Sequence, residues 1–582
     1  MERYNVEITV CVLNEFECDK VSLNNLYWGI AAPITRPKKN IPNRLLLSKI
    51  IIKFVTDNKT QTKHYMKHLS IIISILLCTT ISFAQSYEVN IEAVANKKIR
   101  DDGGKLVLLP DETFTIREIE VLNDFSTGGT YYKMDIGKEY PITIGVNNLT
   151  GGNPNITFQT NKLKDIWDTG ILYYSLPSIL EYGWQPELRR ELEDEALQFI
   201  YSAKSHDLEF NDPYLESYIY SLVNKIVPDV LLDNRQYSVN VFIMQDPSIN
   251  AYCYPNGTIV INTGLLAALH SEAELVAILS HEIAHYVLDH SVVNINKAIE
   301  REKRAAFWAA FVTSIAAVGD GILTSKYTYY QPGVLTGSAA ILSSTIAANA
   351  VKRLGMEYNH SQENIADEIA QDVLRYLGYD ENALATALSR LEDNYIIEKD
   401  ASMYISSSTH PSLYRRIKNA GTPSNIHEKK YEQLVSFAVT NTAIYKFNDR
   451  RFKQCLPLVN QNIVNNVATA DDYLIKARCL LAMDNSQSAC EEILHTIEKA
   501  KELNANKVNI YKTEIMVYLR LEDYTKAIEL LSSYYDAANA EIAKLSENNQ
   551  DLLFKEYDSF LRKEMDWASN MLIKIRSMSL QE

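Results

Sequence analysis

The sequence predicts an α+β protein in three parts, because its residue patterning changes twice along the chain. Residues 86–183 contain short runs of Thr, Ile, Val and Tyr separated by Gly-rich turns, which predicts a strand-rich segment. Residues 184–422 have mostly helical spacing around two strand-like runs, which predicts a mostly helical domain with a small sheet. Residues 430–582 are helical and weakly repetitive. A chain of 582 residues exceeds what one hydrophobic core usually organises.

The start of the chain predicts a secretory signal that does not begin at the first methionine. Residues 66–85 combine Met-Lys-His, an apolar run and a small-residue cleavage site near Ala84. We therefore expect residues 1–65 to precede the natural start. We also expect export, to the bacterial periplasm or to an envelope membrane surface. The alternative is an internal buried helix or strand.

Net charge and cysteine content exclude several classes of protein. The net charge of −15 repels phosphate backbones, so no nucleic acid partner is expected. Beyond Ala84 the cysteines are Cys253, Cys455, Cys479 and Cys490, too few and scattered for a disulfide scaffold or a thiolate zinc cluster. We expect small buried residues, with one disulfide among the last three as the alternative.

Two strands and a helix start are predicted in the centre of the chain. Residues 238–244 and 258–262 are strand-like, and Asn256–Gly257 ahead of the second run predicts a hairpin turn. Ser271 and Glu274 then have the spacing of a capping box directly before an apolar run. A helix should begin there.

The predicted helix carries His281, Glu282 and His285 in a His-Glu-x-x-His pattern. Residues four apart project from one helix face, so the two imidazoles can bind one metal ion. A neighbouring carboxylate can act as a general base in hydrolysis. Ile278 and Ile283 would pack the back of the helix. The pattern predicts a zinc hydrolase site, against the alternative of two ordinary histidines.

Zinc hydrolases usually take a third protein ligand. A metzincin would place a glycine at position 288 and a histidine at 291, but the sequence has Leu288 and Ser291, so that class is rejected. His290 falls off the metal-binding face of the helix, and we interpret it as structural.

A Glu and an Asp four residues apart offer the remaining ligand. Ser361 can cap a helix that places Glu363 and Asp367 on one face, from which both carboxylates could serve the site. The alternative is an ordinary solvated helix face.

Six motifs across about residues 185–420 resemble those of a known family. They are Asn250-Ala251, Thr263–Leu266, Glu272–Ala277, His281–His285, Glu363–Asp367, and Thr409–Pro411 followed by Arg416-Ile417. Together they resemble the gluzincin family of HtpX-like heat-shock proteases and CAAX prenyl proteases. The resemblance implies one zinc ion per chain on His281, His285 and Glu363. It further implies Glu282 as the base and Asp367 as a partner behind a metal ligand.

The resemblance extends to substrate binding and to a loop near the metal. Asn250, Ala251 and Tyr252 resemble the family's edge strand, to which an extended substrate adds through main-chain hydrogen bonds. In similar enzymes the loop that corresponds to that of His410 lies near the metal. The resemblance therefore implies that His410 covers the zinc or stabilises the oxyanion, and that Arg416 holds the loop. The alternative is a purely structural role for His410.

Two further regions, the apolar runs within 305–350 and the repetitive C-terminal helices, bear on membrane contact and on partners. Apolar runs within 305–350 are too weak for convincing membrane spans, so we expect a helical pair with peripheral membrane contact, against a transmembrane hairpin. Cys455, Ala489 and Ala527 recur at tetratricopeptide-like spacing, which favours stacked helical hairpins that hold a substrate or partner, against an unrelated bundle. This architecture resembles exported, soluble family members with C-terminal tetratricopeptide repeats.

These observations favour a zinc metalloendopeptidase acting on unfolded or misfolded exported proteins. A chaperone or assembly scaffold with a closed or vestigial metal site is the alternative from another class. A membrane-embedded processing protease is the third, and it would require residues 305–350 to enter the bilayer.

Overall fold

A computed structural model of the chain describes residues 7–11, 18–22, 85–124, 129–150, 153–176, 186–228, 230–232, 238–301, 350, 354–399, 413–484, 486–503, 507–548 and 552–579. Contacts divide it into two units, Met1–Phe83 and Ala84–Glu582. In the first unit, strands β1 (Glu7–Cys11) and β2 (Cys18–Ser22) pair antiparallel. Within the described residues, every helix is too short or too polar to cross a bilayer.

Two predicted segments are not covered by this description. The signal peptide at 66–85 lies outside the described residues except for Gln85, and the apolar region 305–350 does so except for Ala350. Cleavage after Ala84 and peripheral membrane contact therefore stay predictions.

The second unit opens with an antiparallel sheet, which confirms the strand-rich segment. Its strands are β3 (Gln85–Ala95), β6 (Thr113–Asp124), β7 (Gly129–Asp135), β8 (Ile142–Gly145) and β9 (Ile156–Phe158), in the spatial order β8-β7-β6-β3-β9. A small hairpin of β4 (Ile99–Arg100) and β5 (Leu106–Leu108) stands apart from it. Ile119 and Val121 of β6 are buried while Glu118, which precedes Ile119, is exposed, as expected of a sheet with one face on the core.

The central part of the chain is mostly helical around a small sheet, as predicted. One helix, α1 (Leu163–Gly170), lies earlier, within the range predicted to be strand-rich. The described helices of the central part are α2 (Pro186–Ser205), α3 (Pro213–Ile226), α4 (Thr263–Ala268), α5 (Glu272–Val287), α6 (His290–Arg301), α7 (His360–Leu377), α8 (Ala383–Lys399) and α9 (Leu413–Ala420). The sheet contains β10 (Asn240–Met244), β11 (Ala251–Cys253) and β12 (Thr258–Asn262), in the order β10-β12-β11. The α+β fold class is confirmed.

The predicted hairpin joins the last two of these strands. β11 runs antiparallel to β12, whereas β10 runs parallel to β12. The turn requires glycine, because Gly257 has φ +80° and a Cβ atom there would lie 2.1 Å from the Ser238 carbonyl oxygen. This turn leaves β11 as the last strand of the sheet.

Helices α5 and α7 carry the residues of the predicted metal site, and they pack directly against each other. The α5 helix begins where the capping pattern predicted, with the Ser271 hydroxyl accepting a hydrogen bond from the Glu274 N–H. The predicted cap of α7 is wrong. Asn359, not Ser361, accepts hydrogen bonds from the first backbone N–H groups, and the Gln362 side chain completes the box. The helix consequently starts at His360, and it includes both Glu363 and Asp367.

The C-terminal region is helical throughout its described residues. It comprises α10 (Lys429–Leu434), α11 (Ser436–Asn448), α12 (Phe452–Val464), α13 (Ala470–Met483), α14 (Gln487–Glu502), α15 (Lys507–Arg520), α16 (Tyr524–Asn548) and α17 (Leu552–Ser579). Consecutive helices pack on one another. Cys455 and Ala527 are fully buried and Ala489 is half-buried between such helices. Assignment of these pairs to the tetratricopeptide class stays a prediction.

The first C-terminal helices share the core of the central domain. Tyr431, Val435, Ala438 and Val439 belong to the same buried cluster as the apolar residues of α5 and α7. The four cysteines beyond Ala84 are buried and form no disulfide in the structure.

Candidate metal centre

Three side chains predicted as metal ligands converge between α5 and α7. The Nε2 atoms of His281 and His285 are 3.1 Å apart. Glu363 places Oε2 at 3.6 Å from His281 Nε2 and Oε1 at 3.5 Å from His285 Nε2. All three residues are buried. The spacing of four residues on α5 and the first turn of α7 together produce this convergence.

These separations fit a zinc ion. Tetrahedral zinc with ligand bonds of about 2.0–2.1 Å keeps its ligand atoms about 3.3 Å apart. The three observed distances bracket that value. Two imidazole nitrogens and a carboxylate oxygen are also a usual ligand set for catalytic zinc, with the fourth position left to water or substrate. The donor set and its geometry therefore fit the metal that the motif predicts.

Asp367 and Arg416 lie behind the first histidine. The Asp367 Oδ1 atom is 2.9 Å from His281 Nδ1, the ring nitrogen that faces away from the metal position. Arg416 donates hydrogen bonds to Asp367 from Nε at 2.8 Å and Nη2 at 2.7 Å. Burial opposes ionisation of this carboxyl, but the hydrogen bonds with His281 and Arg416 hold the pKa of Asp367 well below its usual range. The ionised carboxylate fixes which nitrogen of His281 carries the proton.

Arg416 also reaches Glu363, with Nη1 2.6 Å from Oε2. We predicted that this arginine holds the loop of His410. Since residues 401–412 lie outside the described part of the chain, the position of His410 and that predicted contact are not given by the structure. The described contacts place the buried guanidinium of Arg416 between the carboxylates of Glu363 and Asp367, where it orients both.

The second histidine has partners that the sequence did not reveal. His285 Nδ1 lies 2.8 Å from His290 Nδ1, and the ring of Tyr358 stacks on that of His285 at 3.6 Å and 10°. Burial lowers the pKa of His290 to about 3, so its ring is neutral and can accept a hydrogen bond. His290 thus lies behind His285 and orients it, a contact that our interpretation of His290 as structural did not specify.

The general-base candidate and the edge strand lie beside this centre. Glu282 is buried on α5 next to His281, and α5 packs on β11 and β12. Ala251 and Tyr252 lie on β11, and Asn250 immediately precedes it. The Asn250 carbonyl accepts a hydrogen bond from the Asn262 N–H at 3.1 Å. The predicted substrate strand therefore borders the helix that carries the base.

Comparison with known proteins identifies the family of this domain. Residues 213–424 match the model of Peptidase family M48. The central part of the chain is an M48 peptidase domain. The match confirms the predicted enzyme class of this domain, zinc metalloendopeptidase, and its zinc cofactor. The matched range contains His281, His285 and Glu363, whose roles as ligands stay predictions.

Several curated proteins are similar to this M48 domain. The beta-barrel assembly-enhancing protease of Yersinia pestis is 27% identical over 215 residues, which is 37% of this chain and 40% of that protein. The protein of the same name in Escherichia coli is 28% identical over 184 residues, 31% of this chain and 34% of its own length. The protease HtpX homolog of Dictyoglomus turgidum is 25% identical over 244 residues, 37% of this chain and 74% of its own. The chain thus spans two fifths or less of the length of the two beta-barrel assembly-enhancing proteases.

The Asp367→Asn variant should weaken zinc binding at this centre by about 10–100-fold. The amide keeps the shape of the carboxylate but loses the charge that holds His281 and Arg416 in place. Zinc affinity can be measured by competition with a chromophoric chelator. Asp372→Asn, on the same helix and partly exposed, is the matched control. Equal zinc affinity in both variants would show that Asp367 does not support the ligand.

Proposed function

We propose that the protein is a zinc endopeptidase that cleaves unfolded or misfolded segments of exported proteins. The observation that carries this proposal is the convergence of His281, His285 and Glu363 at 3.1–3.6 Å beside the buried Glu282. The M48 domain match supports the reaction class.

The side chains of the site have three roles in hydrolysis: they bind the metal, transfer a proton and orient the imidazoles. When bound, zinc supplies a Lewis acid that polarises a peptide carbonyl and makes water more acidic. His281, His285 and Glu363 would hold it. Glu282 takes a proton from the attacking water and returns it to the departing amine. Asp367 and His290 keep the two imidazoles in the tautomer that presents Nε2 to the metal.

The position of β11 suggests how substrate is bound. β11 pairs with β12 on one side and is the last strand of its sheet. An extended peptide that adds to its other side would run along α5, within reach of the base. Only a segment without its own secondary structure can add in this way. This geometry favours unfolded substrates.

The C-terminal helices contact the segment that leads into this strand. The Tyr445 hydroxyl donates to the Gln245 carbonyl at 3.0 Å, and the Asn441 side-chain amide donates to Gln245 Oε1 at 3.1 Å. The Thr263 hydroxyl donates to the Asn441 side-chain amide oxygen at 3.1 Å. A substrate or partner protein held by the C-terminal helices would therefore be delivered beside the substrate strand.

Two further observations support the proposal of export and of this class of substrate. The signal pattern of residues 66–85 predicts removal of that segment, and two similar proteases are named for enhancing beta-barrel assembly. We therefore propose a role in the bacterial periplasm or at an envelope membrane surface. N-terminal sequencing of the protein recovered from cells should begin just after Ala84. A mature protein that retains residues 66–85 would contradict export by this signal.

Metal removal tests the activity directly. We expect the purified protein to cleave reduced, alkylated casein, to stop when zinc is removed by 1,10-phenanthroline, and to recover when Zn²⁺ is restored. The same protein should leave a folded, disulfide-bonded substrate intact but cleave its reduced and alkylated form. Persistence of cleavage without metal would exclude this mechanism. Zinc binding without any cleavage would favour the chaperone alternative.

A further inference from the structure

A second trio of metal-binding side chains lies away from the catalytic centre. Its members are His270, His427 and Glu432, whose candidate ligand atoms all lie within 4.8 Å of one another. His270 immediately precedes the Ser271 cap of α5. His427 lies between α9 and α10, and Glu432 is on α10. The trio therefore brings together the start of the catalytic helix and the start of the C-terminal helices.

Both imidazoles converge on one carboxylate oxygen. The Oε1 atom of Glu432 is 2.8 Å from His270 Nδ1 and 2.7 Å from His427 Nδ1. The two rings lie close together in a tilted arrangement, with centroids 4.1 Å apart and planes at 33°. Two protonated rings at this distance would repel each other, and Arg390 adds a positive charge nearby. The arrangement is therefore suited to neutral imidazoles, the form that binds a metal ion.

The first histidine presents an unsatisfied nitrogen to the trio. Nδ1 of His270 is buried and lies 2.8 Å from Glu432 Oε1, but it has no hydrogen bond among the described residues. Burial, followed by the charge of Arg390, lowers the pKa of His270 to about 4. The buried nitrogen thus carries a lone pair with no other use in the described structure.

The carboxylate is held in place from its other side. Asn465, which caps the end of α12, donates from Nδ2 to Glu432 Oε2 at 2.7 Å, and this leaves Oε1 directed at the imidazoles. Such a hydrogen bond behind a carboxylate ligand is typical of metal sites. The competing cation, Arg390, is already paired with Glu274 at 2.7 Å. The negative charge of Glu432 is accordingly available to an ion.

We propose that His270, His427 and Glu432 bind a second Zn²⁺ ion, distinct from the catalytic one. Two imidazole nitrogens and one carboxylate oxygen match the preference of zinc among common divalent ions. Ligand atoms of tetrahedral zinc stand about 3.3 Å apart, so each imidazole has to move about half an ångström from the oxygen. His427 is half exposed and can make this movement.

The trio borders a surface cavity. A cavity of about 260 Å³ next to the trio is lined by His427 together with Ser271, Glu274, Thr386 and Ser424. It provides a path for the ion and room for a water ligand. The site would act structurally. It would fasten the segment before α10 to the cap of α5, where at present the Glu428 N–H donates to the His270 carbonyl at 2.8 Å.

Zinc content of matched variants of the full chain tests this site. The parent protein should retain about two zinc ions per chain after removal of loosely bound metal, and His427→Ala and Glu363→Ala about one each. The double variant should retain none. His495→Ala, an exposed histidine on α14, is the control and should match the parent. Circular dichroism verifies that each variant is folded, and His427→Gln replaces His427→Ala if the latter does not fold.

Thermal unfolding gives a second measurement that does not depend on proteolysis. Added Zn²⁺ should raise the Tm of Glu363→Ala, which lacks a catalytic ligand, but not that of Glu363→Ala/His427→Ala. Equal zinc content and equal Tm shifts with and without His427 would overturn the proposal. So would a parent protein whose only zinc is lost in Glu363→Ala. Failure of casein cleavage leaves these results unaffected, so the two proposals can fail separately.

Discussion

Replacing Glu282 by glutamine is expected to lower the rate of casein cleavage by about 10²–10⁴-fold. Glutamine has nearly the same shape but cannot take a proton from the attacking water or return it to the leaving amine. Because His281, His285 and Glu363 are unchanged, the variant should bind as much zinc as the parent. Cleavage is measured with reduced, alkylated casein, and zinc content by elemental analysis of the same samples.

Glu216→Gln is the matched control, since it removes an exposed carboxylate from α3 within the same domain. It should cleave at the parental rate. Parental activity in Glu282→Gln with zinc bound would show that another group serves as base. Loss of zinc in that variant would instead show that Glu282 supports the metal site.

The sequence sufficed to locate the parts of the site that depend on local geometry. His281 and His285 are one helical turn apart, and Ser271 determines where their helix begins, so both their shared face and their helix could be predicted. Glu363 is distant in sequence. Its side chain reaches the histidines only because α7 packs on α5, which the residues alone left open and the family resemblance supplied.

His290 shows why the partners behind the ligands were harder to find. Our interpretation extended the geometry of α5 through residue 290, but α5 ends at Val287. Asp289 then has φ +58°, and a new helix starts at His290. The left-handed conformation of Asp289 breaks the helix, and His290 then lies against His285. An aspartate is among the few residues that tolerate such a conformation, yet its presence alone does not indicate one.

Long-range packing also explains why the sequence did not predict how the C-terminal helices meet the central domain. Helical spacing from residue 430 onward predicts helices but not what covers them. In the structure, Tyr431 and Val435 enter the core of the central domain, and Asn441 and Tyr445 contact the segment before β11. The first C-terminal helices thus lie beside the strand that we predict to bind substrate. The later helices pack chiefly on one another.

Glu363→Ala is expected to remove the catalytic zinc and reduce cleavage to background. Two imidazoles four residues apart bind zinc far more weakly than three ligands do, and the lost carboxylate also supplied the negative charge of the ligand set. Zinc content should fall by about one ion per chain relative to the parent. Elemental analysis and the casein assay measure the two effects together.

The fold should survive this substitution despite the complete burial of Glu363. Arg416 would lose its contact with Glu363 but keep both hydrogen bonds to Asp367, so the buried guanidinium remains paired. Circular dichroism should therefore match that of the parent. Glu368→Gln, an exposed carboxylate on the same helix, is the control for helix α7. If Glu363→Ala is folded and keeps both its zinc and its activity, the third ligand must come from elsewhere. The residues outside the described ranges, His410 among them, would then be the place to search.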